Sequence, residues 1–163
     1  MKEGIAGSFC KIPLRCHDQG RIPDEGQRMT HRKPRVLDRS DWATHPDLFW
    51  KGHVEGRTLG TGVTVLFYST EEVGVGPKWH VHPYDEIFVI REGRALFTVG
   101  DQRFECRTGQ VVFGPAGVPH KFVNLGPGRL ETTDVHVSDR WIQTNLPDPE
   151  LGETGANADT TSA

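Results

Sequence analysis

The chain has 163 residues, 35% hydrophobic and 25% charged, with a formal net charge of −3. That length suits one domain, and the acidic balance excludes the clustered Lys and Arg face by which proteins hold nucleic acid. The longest apolar run, Val63 to Tyr68, is far shorter than the ~18 residues of a membrane span, and the first residues lack a continuous apolar signal-peptide centre. The expected protein is cytoplasmic, with a small-molecule substrate or ligand and no nucleic acid or membrane partner.

In chain order, residues 1–35 are rich in Gly, Pro and charge and show no apolar periodicity. Such a segment buries too little surface to offset its ordering entropy, so a flexible N-terminal extension is expected. Met29 stands shortly before the first apolar pair, Val36-Leu37, and is an alternative start that an intact-mass measurement would decide. The stretch Asp38 to Phe49 offers a short helical turn that Ser40 or Asp41 could cap, with Pro46 limiting its length.

From Val36 to Asn145 short runs rich in Val, Phe, Thr and Ile recur between Gly and Pro punctuation. Strands are expected at Val63 to Tyr68, Glu86 to Arg91, Ala95 to Val99, Arg103 to Cys106, Val111 to Phe113, His120 to Asn124 and Leu130 to Val137. Turns fall at Glu92-Gly93, Gly100-Asp101, Thr108-Gly109, Pro115-Ala116-Gly117 and Gly126-Pro127-Gly128. The domain reading is therefore an extension over 1–35, a β-barrel domain over 36–145 and a disordered acidic tail over 146–163. Cys10, Cys16 and Cys106 are scattered and odd in number, which speaks against a disulfide framework or a thiolate zinc site.

The chemistry concentrates in two motifs. The first reads Gly74-x5-His80-x-His82-x3-Glu86-x6-Gly93. In a strand His80 and His82 share a face because side chains alternate. Pro83-Tyr84-Asp85 then bends the chain so that Glu86 returns to that face. The second reads Gly109-x5-Pro115-x-Gly117-x2-His120-x3-Asn124 and delivers a third imidazole from a later strand. Three imidazoles and one carboxylate without thiolate suit a divalent transition ion such as Fe2+, Mn2+, Ni2+ or Zn2+, and four protein ligands leave positions open for substrate, water or O2.

These two motifs, with 15 residues between them, resemble the paired motifs of the cupin superfamily, closely over Gly74 to Asn124 and by strand pattern over most of Val36 to Asn145. The resemblance implies an all-β fold, a double-stranded β-helix or jelly-roll barrel. It also implies one divalent metal ion on the residues matching His80, His82, Glu86 and His120. It does not imply one reaction, since similar proteins include dioxygenases, isomerases, cyclases, lyases, sugar binders and non-enzymatic members. A homodimer is implied by the family's habit and by sheet edges that want cover.

Around the ligands, Tyr84 is a candidate proton donor through its hydroxyl. His136 with Asp134 on the same strand parity is a candidate acid–base pair. Phe88 and Ile90 should point inward beyond the metal, Asn124 should support a turn or His120, and His45 and His53 read as surface or structural residues. Arg91, Arg94, Arg103 and Arg107 read as a solvated strand face. The expected function is a metal-dependent enzyme, of dioxygenase or isomerase type, acting on a small organic molecule that chelates the ion through oxygen. The alternative is a non-catalytic module binding or sensing a sugar or small metabolite.

Overall fold

The computed structural model describes residues 33–47 and 50–151. The expected N-terminal extension, up to residue 32, and the tail from 152 onward lie outside the described residues, as do Met29, Cys10 and Cys16. Among the described residues no helix is long and apolar enough to cross a membrane.

Two antiparallel five-stranded sheets face each other as a jelly-roll barrel. The strands are β1 (Gly52–Val54), β2 (Thr64–Thr70), β3 (His80–Val81), β4 (Glu86–Glu92), β5 (Arg94–Val99), β6 (Gln102–Arg107), β7 (Val111–Gly114), β8 (His120–Asn124), β9 (Leu130–His136) and β10 (Thr144–Asn145). One sheet runs β1-β2-β9-β4-β7 and the other β10-β3-β8-β5-β6. All seven expected strands form, each within about two residues of its expected ends. β1 and β10 were not expected, because three and two residues are too few to show alternation.

Two short helices, α1 (Arg39–Trp42) and α2 (Gly56–Leu59), flank β1. α1 begins one residue before the expected caps. Asp38 is its N-cap, and Asp41 reaches back to accept from the Asp38 N–H at 2.9 Å. On the outer face, Trp42 packs against Trp50 and Phe67. Arg91 does not stand in solvent there. Its guanidinium lies 5.4 Å from the Trp50 ring and 3.1 Å from Glu131, next to a β-bulge between Ile90 and Glu92. Arg94 and Arg103 are exposed and paired with Glu105 and Glu150.

The inner faces follow from alternation. Glu86, Phe88 and Ile90 of β4 are buried while Ile87 is exposed, and the same parity turns Leu130, Thr132, Asp134 and His136 of β9 inward. Phe88, Ile90, Ala95, Phe97, Cys106, Val112, Phe122 and Leu130 form the apolar core. Burying each large side chain contributes roughly 1.5–3 kcal/mol. The core fills one end of the barrel, and the polar inward residues gather at the other.

The two motifs are stitched by main-chain bonds. The Gly117 N–H donates to the His82 carbonyl at 2.9 Å, and the Ala116 N–H donates to the Asp85 carboxylate at 2.8 Å. Gly117 takes φ 73°, which a glycine adopts without the Cβ penalty. At the start of the first motif Gly76 packs so tightly on β8 that a Cβ there would meet the Phe122 carbonyl oxygen at 1.7 Å. After the barrel, Lys121 pairs with Asp148 and Glu150 at 2.6 and 2.7 Å, holding the first residues past Asn145.

Candidate metal centre

Each ligand candidate is delivered by a different piece of sheet. β3 carries His80, which pairs with His120 of β8 in strand register. His82 follows β3 directly, and Glu86 opens β4, where it pairs with Gly114 of β7 and His136 of β9. Gly114 leaves room here: a Cβ would stand 3.2 Å from the Phe88 ring and 3.7 Å from the His120 ring.

The structure brings all four together. The ligand atoms of His80, His82, Glu86 and His120 lie within 4.8 Å of one another, and the four residues are buried. His80 Nε2 is 3.1 Å from His82 Nε2. Glu86 Oε2 is 3.1 Å from His82 Nε2 and 3.0 Å from His120 Nε2.

The other ring nitrogens decide what faces inward. His80 Nδ1 donates to the Lys78 carbonyl at 2.6 Å, His82 Nδ1 to the Ile142 carbonyl at 2.6 Å, and His120 Nδ1 to the Val118 carbonyl at 2.9 Å. A carbonyl only accepts, so each Nδ1 carries a proton, and a ring with no second proton turns a bare Nε2 lone pair toward the centre. Three such nitrogens and a carboxylate oxygen then converge on one point. That arrangement costs free energy unless a cation sits there, so the residues fit a divalent ion. Burial also pushes the His80 pKa down to about 4, which keeps the ring neutral and basic.

Tyr84 is placed differently from the expectation of a proton donor. Its hydroxyl donates to the Ile142 carbonyl at 3.0 Å and accepts from the Ile142 N–H at 2.8 Å, while its ring stacks on His82 with 5.2 Å between centroids. With both hydrogen bonds spent on backbone, Tyr84 orients His82 instead of reaching into the cavity.

His136 is neither exposed nor on an edge strand. It sits on the inner face of β9, with Nε2 3.1 Å from Glu86 Oε1, and neither ring nitrogen has a hydrogen-bond partner among the described residues. Burial lowers its pKa to about 4, so it is neutral. Asp134 does share its face, as expected from parity. It is fully buried, its Oδ1 lacks a partner among the described residues, and burial first and the Glu86 charge second raise its pKa well above the ordinary value.

His80, His82 and Glu86 form one wall of a cavity of about 540 Å³, lined further by Leu66, Tyr68, Phe88, Phe122, Asp134 and His136, with Lys51, His53, Lys78 and Trp141 also contributing. His53, expected to be a surface or structural residue, lines this cavity and packs on Trp141 at 5.2 Å between rings. Asn124 holds the turn after β8, accepting from the Gly126 N–H at 2.8 Å and donating to the Gly128 carbonyl at 3.0 Å. Sequence reasoning missed the Ile142 carbonyl, Lys51 and Lys78. A backbone acceptor leaves no mark on residue type, and the lysines come together only once β1 and the approach to β3 have folded.

A family model described as a cupin domain matches residues 67–136. An uncharacterized protein of Streptomyces coelicolor is 46% identical over 69 residues, covering 42% of this chain and 61% of that protein. An uncharacterized protein of Methanocaldococcus jannaschii is 39% identical over 57 residues, covering 33% of this chain and 46% of that protein. The chain therefore spans only about half to three-fifths of the relatives it matches. Among solved structures, Bacillus subtilis oxalate decarboxylase, a protein with Mn(II) centres, aligns with TM-score 0.55 at 19% identity, over 58% of this chain and 27% of that one. The same enzyme at pH 4.6 aligns with TM-score 0.54 at 20% identity over the same shares. At such identity the likeness is one of fold.

Proposed function

We propose, from the premise that residues 67–136 are a cupin domain, that this protein is a metal-dependent enzyme acting on a small organic molecule that chelates the ion through hydroxyl, keto or carboxylate oxygens. The observation that carries the reading is the convergence of three imidazoles and one carboxylate, of which His80, His82 and Glu86 line a ligand-sized cavity. A divalent ion bound there, Fe2+, Mn2+, Ni2+ or Zn2+, supplies Lewis acidity and, for iron or manganese, redox chemistry.

The chain's own residues do the rest. The Nδ1 atoms of His80, His82 and His120 are held by carbonyls, which aims each Nε2 at the centre before any ion arrives. Phe88 and Phe122 close the inner end and exclude water, which strengthens every polar contact made there. Asp134, raised in pKa by burial and with its Oδ1 lacking a partner among the described residues, holds a proton at a carboxyl oxygen and can deliver it to a substrate oxygen. His136 abuts the Glu86 carboxylate and steadies its direction. A group that holds a proton beside a chelating site suits isomerisation or oxygenation next to the chelated carbon.

The test is to purify the full chain without an affinity tag, measure bound metal, and reload it anaerobically with Fe2+ or Mn2+. Candidate diketones, catechols and hydroxy acids are then screened for O2 consumption or isomerised product. Metal-dependent turnover supports the reading. Tight metal binding with no turnover on any of them favours the sensing module instead.

A further inference from the structure

We infer that the molecule taken by this centre has three parts, a chelating oxygen head, an apolar ring-sized body and an anionic tail, and that Lys51, assisted by Lys78, recognises the tail. The inference rests on the metal-centre reading above and adds to it the class of ligand.

The order of groups along the cavity carries it. Beside the centre the cavity wall is aromatic: Phe88 packs 5.5 Å from the His120 ring, Phe122 5.9 Å from Phe88, and Tyr68 5.2 Å from Phe122. The Lys51 ammonium lies 5.7 Å from the centre of the Tyr68 ring, at the far end of that series. Its backbone is fixed by a bond from the Thr44 N–H to its carbonyl at 2.8 Å, just before β1. Lys78 lines the same cavity from the segment leading into β3. A ligand reaching from the ion to Lys51 must lie along aromatic surface, which asks for an apolar body.

Charge supplies the second line. Most basic side chains near the barrel have acidic partners: Lys121 has two, and Arg94, Arg103 and Arg129 have at least one each. Among the described residues neither Lys51 nor Lys78 is ion-paired with a carboxylate, yet both border the cavity. The carboxylates lining the cavity are Glu86, one of the four ligand candidates, and Asp134, against two lysines. With a divalent ion present the cavity is net positive, and low-dielectric walls focus that field on an incoming anion. The volume agrees: about 540 Å³ falls in the ~300–1,000 Å³ range of ring-bearing ligands. A two-carbon diacid would touch neither the rings nor Lys51.

The experiment uses full-length protein loaded with Zn2+, which does not oxidise catechols, and isothermal calorimetry with dihydrocaffeate and with its neutral methyl ester. The two share a catechol head and phenyl body and differ only in the charged tail. Dihydrocaffeate is expected to bind about tenfold tighter at low salt, with the preference shrinking as salt rises. Lys51→Met keeps the aliphatic stem over Tyr68 and should remove most of that preference, and Lys51→Met with Lys78→Met the remainder, while zinc content and ester affinity stay unchanged. Equal binding of acid and ester by zinc-loaded protein, or a preference that survives in the double variant, overturns this inference and leaves the metal centre standing. Absence of zinc uptake overturns the metal centre and this inference together.

Discussion

Tyr84 and Ile142, far apart in sequence, are joined by two hydrogen bonds between one hydroxyl and the backbone N–H and carbonyl of one residue, and that carbonyl also holds the Nδ1 proton of His82. Tyr84→Phe removes the clamp and keeps the ring stacked on His82. Metal affinity should fall toward the low end of the ~10–100-fold that follows loss of an outer-shell partner, and stability by about 1 kcal/mol. Competition against a chromophoric chelator reads the first and urea unfolding the second. An unchanged affinity would show that His82 needs no such restraint.

Glu86→Gln keeps the shape of the site and removes its only committed negative charge. Metal affinity should drop more than the ~10–100-fold of an outer-shell loss, because a ligand is altered. The metal-free variant should be at least as stable as the parent, since an amide N–H can satisfy the lone pair of His82 or His120 that Glu86 cannot. Elemental analysis and thermal unfolding give the two readings, and a destabilised metal-free variant would mean that those rings carry inward protons.

Much of this was legible in the sequence, and the limits are physical. Strands at Glu86, Ala95 and Leu130 announce themselves because one buried face imposes alternation. The four ligand candidates stand at spacings that few other demands would impose. β1 and β10 are too short to carry a pattern, and Arg91, outward as its parity indicates, is covered by Trp50 and paired with Glu131 next to a bulge that residue type does not announce. The roles of Tyr84 and His136 escaped for another reason. Residue type says that a phenol or an imidazole can move a proton, and only coordinates say that the Tyr84 hydroxyl is committed to Ile142 or that His136 leans on Glu86.

Acid should destabilise the metal-free protein. The pKa values of His80 and His136 are lowered by burial from 6.5 to about 4, so between those limits the unfolded chain binds one more proton at each ring than the folded chain. Asp134 opposes them: its raised pKa keeps it protonated when folded, whereas the unfolded carboxyl is ionised above 3.8. The share of stability from the two rings is thus fully present above pH 6.5 and is lost toward pH 4, by up to ~1.4 kcal/mol per pH unit for each ring, and Asp134 offsets part of that loss. In Asp134→Asn the opposing term is gone and the decline should steepen. Urea unfolding across this range tests both statements, and stability that is flat or rises on acidification refutes them.

Two glycines four to six residues before His80 should behave differently on substitution by alanine. Gly76→Ala drives a methyl into the Phe122 backbone, with the oxygen at 1.7 Å and the carbonyl carbon at 2.7 Å, so a loss above ~3 kcal/mol and impaired metal uptake are expected. Gly74 has φ 83° and open space around it, so Gly74→Ala should cost only ~1–2 kcal/mol. Thermal shift with metal analysis separates the two, and equal effects would contradict the packing described.

The Ile142 carbonyl that anchors His82 lies beyond the matched stretch 67–136 and after the last long strand. Anyone grafting the segment from Gly74 to Asn124 into another barrel would therefore transplant four coordinating side chains and leave behind the post that keeps one of them aimed. Truncations and chimaeras with a junction near Val137 should be expected to inherit the barrel wall and lose the fidelity of its metal chemistry.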